Sequence, residues 1–253
     1  MYLRTRLRQT GRTGGYFIEI GAGTGDLSHL LLANGLSGRG FDLNPEACRR
    51  NRERNAEAIR AERYAVFEQD FLLADLSRTA DVILCAMVIE HLPAPQVGRL
   101  FDRVAQLLSP GGIFCVFVPA SPVHWGIEDD IAGHLRRYVL ADFPLLARSA
   151  GLVIRDLRGL TYPLSNLLLP LSNFLVRRAE SHKLKLAPAQ RTIDSGARDV
   201  PYKTTFPQWV DACLNEFTLY PFHLWQRLAA NSPNALVIYC EMALPSPAAS
   251  IRP

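Results

Sequence analysis

Three carboxylates fall where short apolar runs break: Glu19 inside FIEIGAGTGDL, Asp42 in GFDLNPEA and Asp70 in FEQDF. Carboxylates suit a ligand rich in hydroxyls with a cationic tail. Asp42 can take two ribose hydroxyls in a fork, and Asp70 can accept from an exocyclic amino group while Phe71 lies against a purine face. Behind Glu19, glycines at positions 21, 23 and 25 make a tight turn where backbone can approach a ligand closely. Two phosphate cradles are excluded by the spacing. The third glycine of a G-x-G-x-x-G dinucleotide fingerprint is replaced by Asp26, and no Lys-Ser or Lys-Thr follows as a phosphate loop requires.

Two histidines are candidates for proton transfer, His91 in IEHLP and His134 in AGHLRRY. Arg136 or Arg137 would suit an anionic acceptor group and Tyr138 a hydrogen bond, and the arginines' charge would hold His134 neutral. A structural alternative has Arg137 and Tyr138 tie the loop to the sheet through Asp129 or Asp130. His29, His182 and His223 read as helix-face or lid residues. No His, Cys or Asp grouping has metal-ligand spacing, so no metal is expected.

These residues need a frame that brings them together. Strand signals recur at Tyr16 to Gly21, Gly38 to Leu43, Ala65 to Phe71, Asp81 to Val88, Ile113 to Pro119, Leu152 to Leu157 and Ala235 to Ala243. Helices are expected at Gly25 to Asn34, Asn44 to Glu62, Pro95 to Leu108 (closed by Ser-Pro-Gly-Gly) and Leu140 to Ala150. That alternation predicts an α/β, doubly wound parallel sheet of seven strands. In such a sheet the strand ends carrying Glu19, Asp42 and Asp70 converge on one crevice.

In their order along residues 16 to about 158, five segments resemble the motifs of class I S-adenosylmethionine-dependent methyltransferases. Glu19 to Asp26 is similar to the first motif, Phe41 to Asn44 to the acidic end of strand two, and Gln69 to Phe71 to the adenine-contacting motif. Cys85 to Pro93 resembles the segment after strand four, and Leu107 to Gly112 the turn before strand five. The resemblance implies a Rossmann-like methyltransferase sheet with S-adenosylmethionine as cofactor. Gly21, Ala22, Gly23 and Gly25 would lie against its methionine part and ribose, and Asp42 with Leu43 would hold the ribose. Asp70 and Phe71 would meet the adenine, Glu19 would support the loop or the amino group, and Ala86, Met87 and Val88 would line the sulfonium side. Trp125 to Phe143 is similar to a D-x-x-x-G-H-x-R-R-Y pattern in a bacterial group associated with glycans or secondary metabolites. The implied reaction is O-methylation of a small hydroxylated metabolite or glycan-type acceptor.

With 48% hydrophobic and 21% charged residues, the 253-residue chain can bury a large core without staples. Five dispersed cysteines read as reduced and point to a cytoplasmic protein. Residues 1–15 read as a solvated basic arm, 16–160 with 234–244 as the cofactor-binding domain, 161–233 as an inserted helical lobe before the last strand, and 245–253 as a tail. Leu160 to Val176 is apolar but broken by Pro163 and Pro170, so it is expected to be a lid or a peripheral membrane contact and not a span. The net charge of +4 invites nucleic acid as a rival acceptor. The segment after strand four, however, lacks the N/D-P-P-Y/F motif that grips a flipped base, and no nucleic-acid partner is expected. A noncatalytic module that keeps the fold as a scaffold is the rival from another class.

Overall fold

A computed structural model describes residues 2–11, 14–187, 191 and 216–246. Seven strands form one sheet: β1 (Tyr16–Ile20), β2 (Ser37–Asp42), β3 (Tyr64–Glu68), β4 (Ala80–Ala86), β5 (Leu108–Pro119), β6 (Val153–Leu160) and β7 (Val237–Ala243). Their order is β3-β2-β1-β4-β5-β7-β6. β1 pairs in parallel with both β2 and β4, so strand order reverses at β1, where an α/β crevice opens. The sheet is not wholly parallel as expected. β7 runs antiparallel between β5 and β6.

The helices are α1 (Tyr2–Gln9), α2 (Asp26–Ala33), α3 (Pro45–Arg54), α4 (Ala56–Arg60), α5 (Ala94–Leu107), α6 (Ile127–Ala132), α7 (Phe143–Ser149), α8 (Leu164–Glu180) and α9 (Glu216–Leu228). Strand side chains alternate between faces, so each strand feeds two cores. Ile18, Ile20, Ile83 and Phe114 pack with Val97, Leu100, Phe101 and Val104 of α5 and with Phe143 of α7. On the other face, Phe17, Val82, Leu84 and Cys115 pack with Leu31 and Leu32 of α2 and with Leu3 and Leu7 of α1.

Three expectations change here. The basic arm is not solvated: α1 buries Leu3 and Leu7, and the Arg6 fork closes on buried Glu241 of β7 at 2.7 and 2.9 Å. The helix expected over Asn44 to Glu62 breaks at Asn55, whose side chain turns to the Gly25 carbonyl and to Asn51. The Ser-Pro-Gly-Gly turn does not stand outside the sheet. β5 already starts at Leu108, and the four residues bulge between the Ala80–Leu108 and Val82–Ile113 pairs.

In the lobe, α8 runs through Pro170 and packs on α6 through Val176 and Ile131. Residues 188–190 and 192–215, with Cys213, and the end of the tail, 247–253, lie outside the described residues. No described helix is long and apolar enough to cross a membrane.

Candidate functional site

The glycine turn is built by the strand before it and the helices behind it. Gly21 and Ala22 donate to the Phe41 carbonyl, and Gly23 donates to Asp42 Oδ2 at 2.7 Å. Gly21 has φ +70°, and a Cβ there would stand 2.3 Å from Val88 Cγ2. A side chain would therefore close the space between the ends of β1 and β4. Asn51 of α3 donates to the carbonyls of Ala22 and Gly23, and a Cβ on Gly25 would meet its Oδ1 at 2.4 Å. Asn51 and Asn55 thus hold the turn from beneath, a role that their place in a charged helix does not reveal.

Asp42 ends β2 with Oδ1 accepting from Asn44 N–H and Oδ2 from Gly23 N–H, which fixes its carboxylate at the mouth of the crevice. Asp70 caps a single turn, Phe71–Leu73, with Oδ1 on Leu72 N–H, so β3 stops at Glu68, short of the expected Phe71. A cavity of about 540 Å³ opens here, within the range of small-molecule and cofactor sites. Gly21, Gly23, Asp42, Leu43, Asp70, Phe71, Ala86, Met87, Val88, His91 and His134 line it.

Glu19, Ala22 and Gly25 do not line it. Glu19 shares the α2 face of β1 with Phe17 and is 1% exposed, its carboxylate accepting from Ser28, which also contacts the Tyr64 hydroxyl. Burial, assisted by the charges of Asp42 and Asp26 and opposed by Ser28, pushes its pKa up to about 8.

At the far end of the cavity, Leu135 N–H donates to the Glu90 carbonyl and brings the two histidine loops together. The His91 and His134 rings meet edge to face at 4.7 Å. His134 Nδ1 lies 2.8 Å from Asp129 Oδ1, and Arg137 closes on both Asp129 oxygens at 2.8 and 2.9 Å. Burial alone would raise the Asp129 pKa, but His134, Arg137 and the Gly126 N–H outweigh it and hold it near 2. Burial lowers His91 to about 4, helped by its neighbour His134. Glu90, fully buried behind both rings, is raised to about 8 by burial and by the Asp129 charge.

A methyltransferase-domain family model matches residues 2–157. The chain belongs to that family. It is an S-adenosylmethionine-dependent methyltransferase. The chain is 29% identical over 179 residues to a ubiquinone biosynthesis O-methyltransferase of Cupriavidus pinatubonensis, covering 62% of this chain and 68% of that one. Among solved structures, a magnesium protoporphyrin IX methyltransferase from Synechocystis with bound S-adenosylhomocysteine has a TM-score of 0.53 at 19% identity, covering 63% of this chain and 74% of that one. A Bacillus halodurans protein provisionally assigned as a methyltransferase has a TM-score of 0.59 at 13% identity, covering 97% and 100%. At those identities the structural likeness concerns the fold.

In this methyltransferase the acceptor-side expectations divide. The cavity takes in His91 and His134 but not Arg136, Arg137 or Tyr138. Arg137 is held by Asp129 and the Ala120 carbonyl, and Tyr138 is buried with its hydroxyl on the Ile89 carbonyl. Arg136 stacks on Tyr138 and pairs with Asp142. The structural alternative through Asp129 therefore describes Arg137, and the immediate ionic neighbour of His134 is a carboxylate instead of the two arginines. Glu90 was hidden in sequence by the apolar run around it. Glu90, His91 and His134 form a grouping of potential metal ligands that chain spacing does not display, since the third lies 43 positions after the second.

Proposed function

We propose that the protein methylates the oxygen of a small hydroxylated acceptor whose hydroxyl enters at the His91–His134 end of the cavity. The glycine turn, Asp42 and Asp70 would hold the cofactor, with Asp42 on the ribose hydroxyls and Phe71 beside the adenine. One observation carries the reading: an Asp129–His134 pair opens on the same cavity as the cofactor cradle. With Nδ1 on Asp129, the imidazole presents Nε2 for the acceptor proton, and Asp129 steadies the cation that forms. The cofactor supplies the electrophilic methyl group, and the cavity's task is to align the acceptor oxygen with it.

The O-methyltransferase name of the Cupriavidus relative supports transfer to oxygen, and the GHLRRY pattern supports a glycan or secondary metabolite as acceptor. The exposed apolar side chains of α8 and α9 support a lobe that covers such an acceptor or rests on a membrane surface. Transfer of labelled methyl to a panel of catechols and sugar hydroxyls tests the reading. His134→Ala should lower the single-turnover rate by about 10²- to 10⁴-fold, with cofactor affinity intact. A near-normal rate in that variant would refute the base assignment.

A further inference from the structure

Glu90 poses a problem that proton transfer to His134 leaves unsolved. It is fully buried, yet neither carboxylate oxygen has a hydrogen-bond partner, and the buried Nδ1 of His91 lacks one too. Buried polar atoms are nearly always paired, and an unpaired carboxylate is among the costliest omissions. Glu90, His91 and His134 each offer a ligand atom, all within 4.8 Å of one another, and His134 Nε2 lies 3.9 Å from Glu90 Oε1.

The opposite nitrogen of His134 is meanwhile fixed on Asp129, which Arg137 clamps in turn. A carboxylate on one imidazole nitrogen sets the tautomer so that the other nitrogen is a lone-pair donor, the arrangement behind metal-bound histidines. We infer that Glu90, His91 and His134 form a binding site for a divalent transition-metal ion, zinc being the ion that two imidazoles and one carboxylate suit well. The ion supplies the partner that Glu90 lacks. Zinc bonds of about 2.0–2.2 Å require the three ligand atoms to draw somewhat closer, a matter of side-chain rotation.

Three protein ligands leave one position open, and because His91 and His134 line the cavity, that position faces the acceptor space. How the ion is used rests on the proposed O-methylation; that it binds does not. With the ion in place, His134 Nε2 is a ligand, and it serves as the base of the proposed reaction only when the site is empty. The acceptor's O–H bond then breaks to solvent under the ion's charge, the O–CH3 bond forms as S–CH3 breaks, and that electron pair stays on sulfur.

The full chain, stripped with a chelator and free of cofactor and acceptor, is titrated with Zn²⁺ by calorimetry and with Co²⁺ by visible absorption. One equivalent should bind, and Co²⁺ should show the intense bands of a four-coordinate site. Glu90→Gln and His91→Ala should each abolish or strongly weaken binding, and Asp129→Asn should weaken it by about 10- to 100-fold. No stoichiometric binding, an octahedral Co²⁺ spectrum, or equal affinity in the Glu90 and His91 variants would overturn the site. The Co²⁺ spectrum of the unmodified chain decides even where a variant fails to fold. A protein that binds no metal yet methylates hydroxyls through His134 refutes the metal site alone; a metal-binding protein inert toward every hydroxyl acceptor refutes the proposed function alone.

Discussion

Both oxygens of Asp42 already accept backbone N–H groups, from Gly23 and Asn44, so this side chain shapes the turn as well as facing the ligand. Asp42→Ala should therefore weaken S-adenosylmethionine binding by about 1.5–3 kcal/mol, the scale of hydrogen bonds to a charged group. Calorimetry on a folded variant checks it, and unchanged affinity would remove Asp42 from the ribose role. Glu19 differs because it faces the helix layer. Its folded pKa of about 8 lies above the ordinary carboxylate value, so the folded chain holds a proton that the unfolded chain has lost. The associated stability is complete below the unfolded pKa and is lost as pH rises toward 8. Glu19→Gln keeps an oxygen for Ser28 without the charge. Denaturant titrations from pH 5 to 8.5 should show a shallower fall in stability for the variant, and parallel curves would mean that Glu19 is not buried as described.

At the scale of elements, α1 shows where sequence reading stops. Four arginines in its neighbourhood suggest a solvated arm, while the signal for docking was two leucines, Leu3 and Leu7, one helical turn apart. What fixes α1 is a partner over two hundred residues away: Arg6 reaches Glu241, which also accepts from the Tyr239 hydroxyl. Chain-distant partners of this kind are invisible to periodicity, and the antiparallel course of β7 escaped for the same reason. By contrast β1, β2 and β4 were legible to within two residues: β1 and β4 are mostly apolar runs, the first stopped by Gly21, and β2 ends at Asp42 before the Asn-Pro helix start. The cavity's lining at the strand ends, Gly21, Gly23, Asp42, Asp70 and Phe71, was legible with them, whereas Glu19, Ala22 and Gly25 do not line it. His134 was legible and its partner Asp129 only in outline, because the loop's course depends on the bond from Leu135 to Glu90. Arg6→Ala should leave Glu241 buried without its cation and cost about 3 kcal/mol. Adding Glu241→Gln should return part of that loss in equilibrium unfolding, and wild-type stability in Arg6→Ala would show that α1 is not docked.

Across the whole molecule, the sheet core and the lobe differ in finish. The core is packed on both faces, whereas the lobe presents apolar side chains outward. On α8, Leu167, Leu171 and Phe174 follow one helical stripe and are each more than half exposed, and on α9 Phe217, Tyr220, Leu224 and Leu228 do the same at 42% exposure or more. Contiguous exposed apolar surface marks a binding face. The opposite face of α8 packs through Val176 on Ile131 of α6, the helix that carries Asp129. Closure over an acceptor would therefore press directly on the element that orients His134. Hydrogen exchange should slow in 164–180 and 216–228 when S-adenosylhomocysteine and acceptor are added together, and Leu171→Asp should raise the acceptor KM while cofactor affinity stays put. Protection that requires anionic vesicles and ignores acceptor would make the lobe a membrane contact, and protection by neither would refute both roles for the stripe.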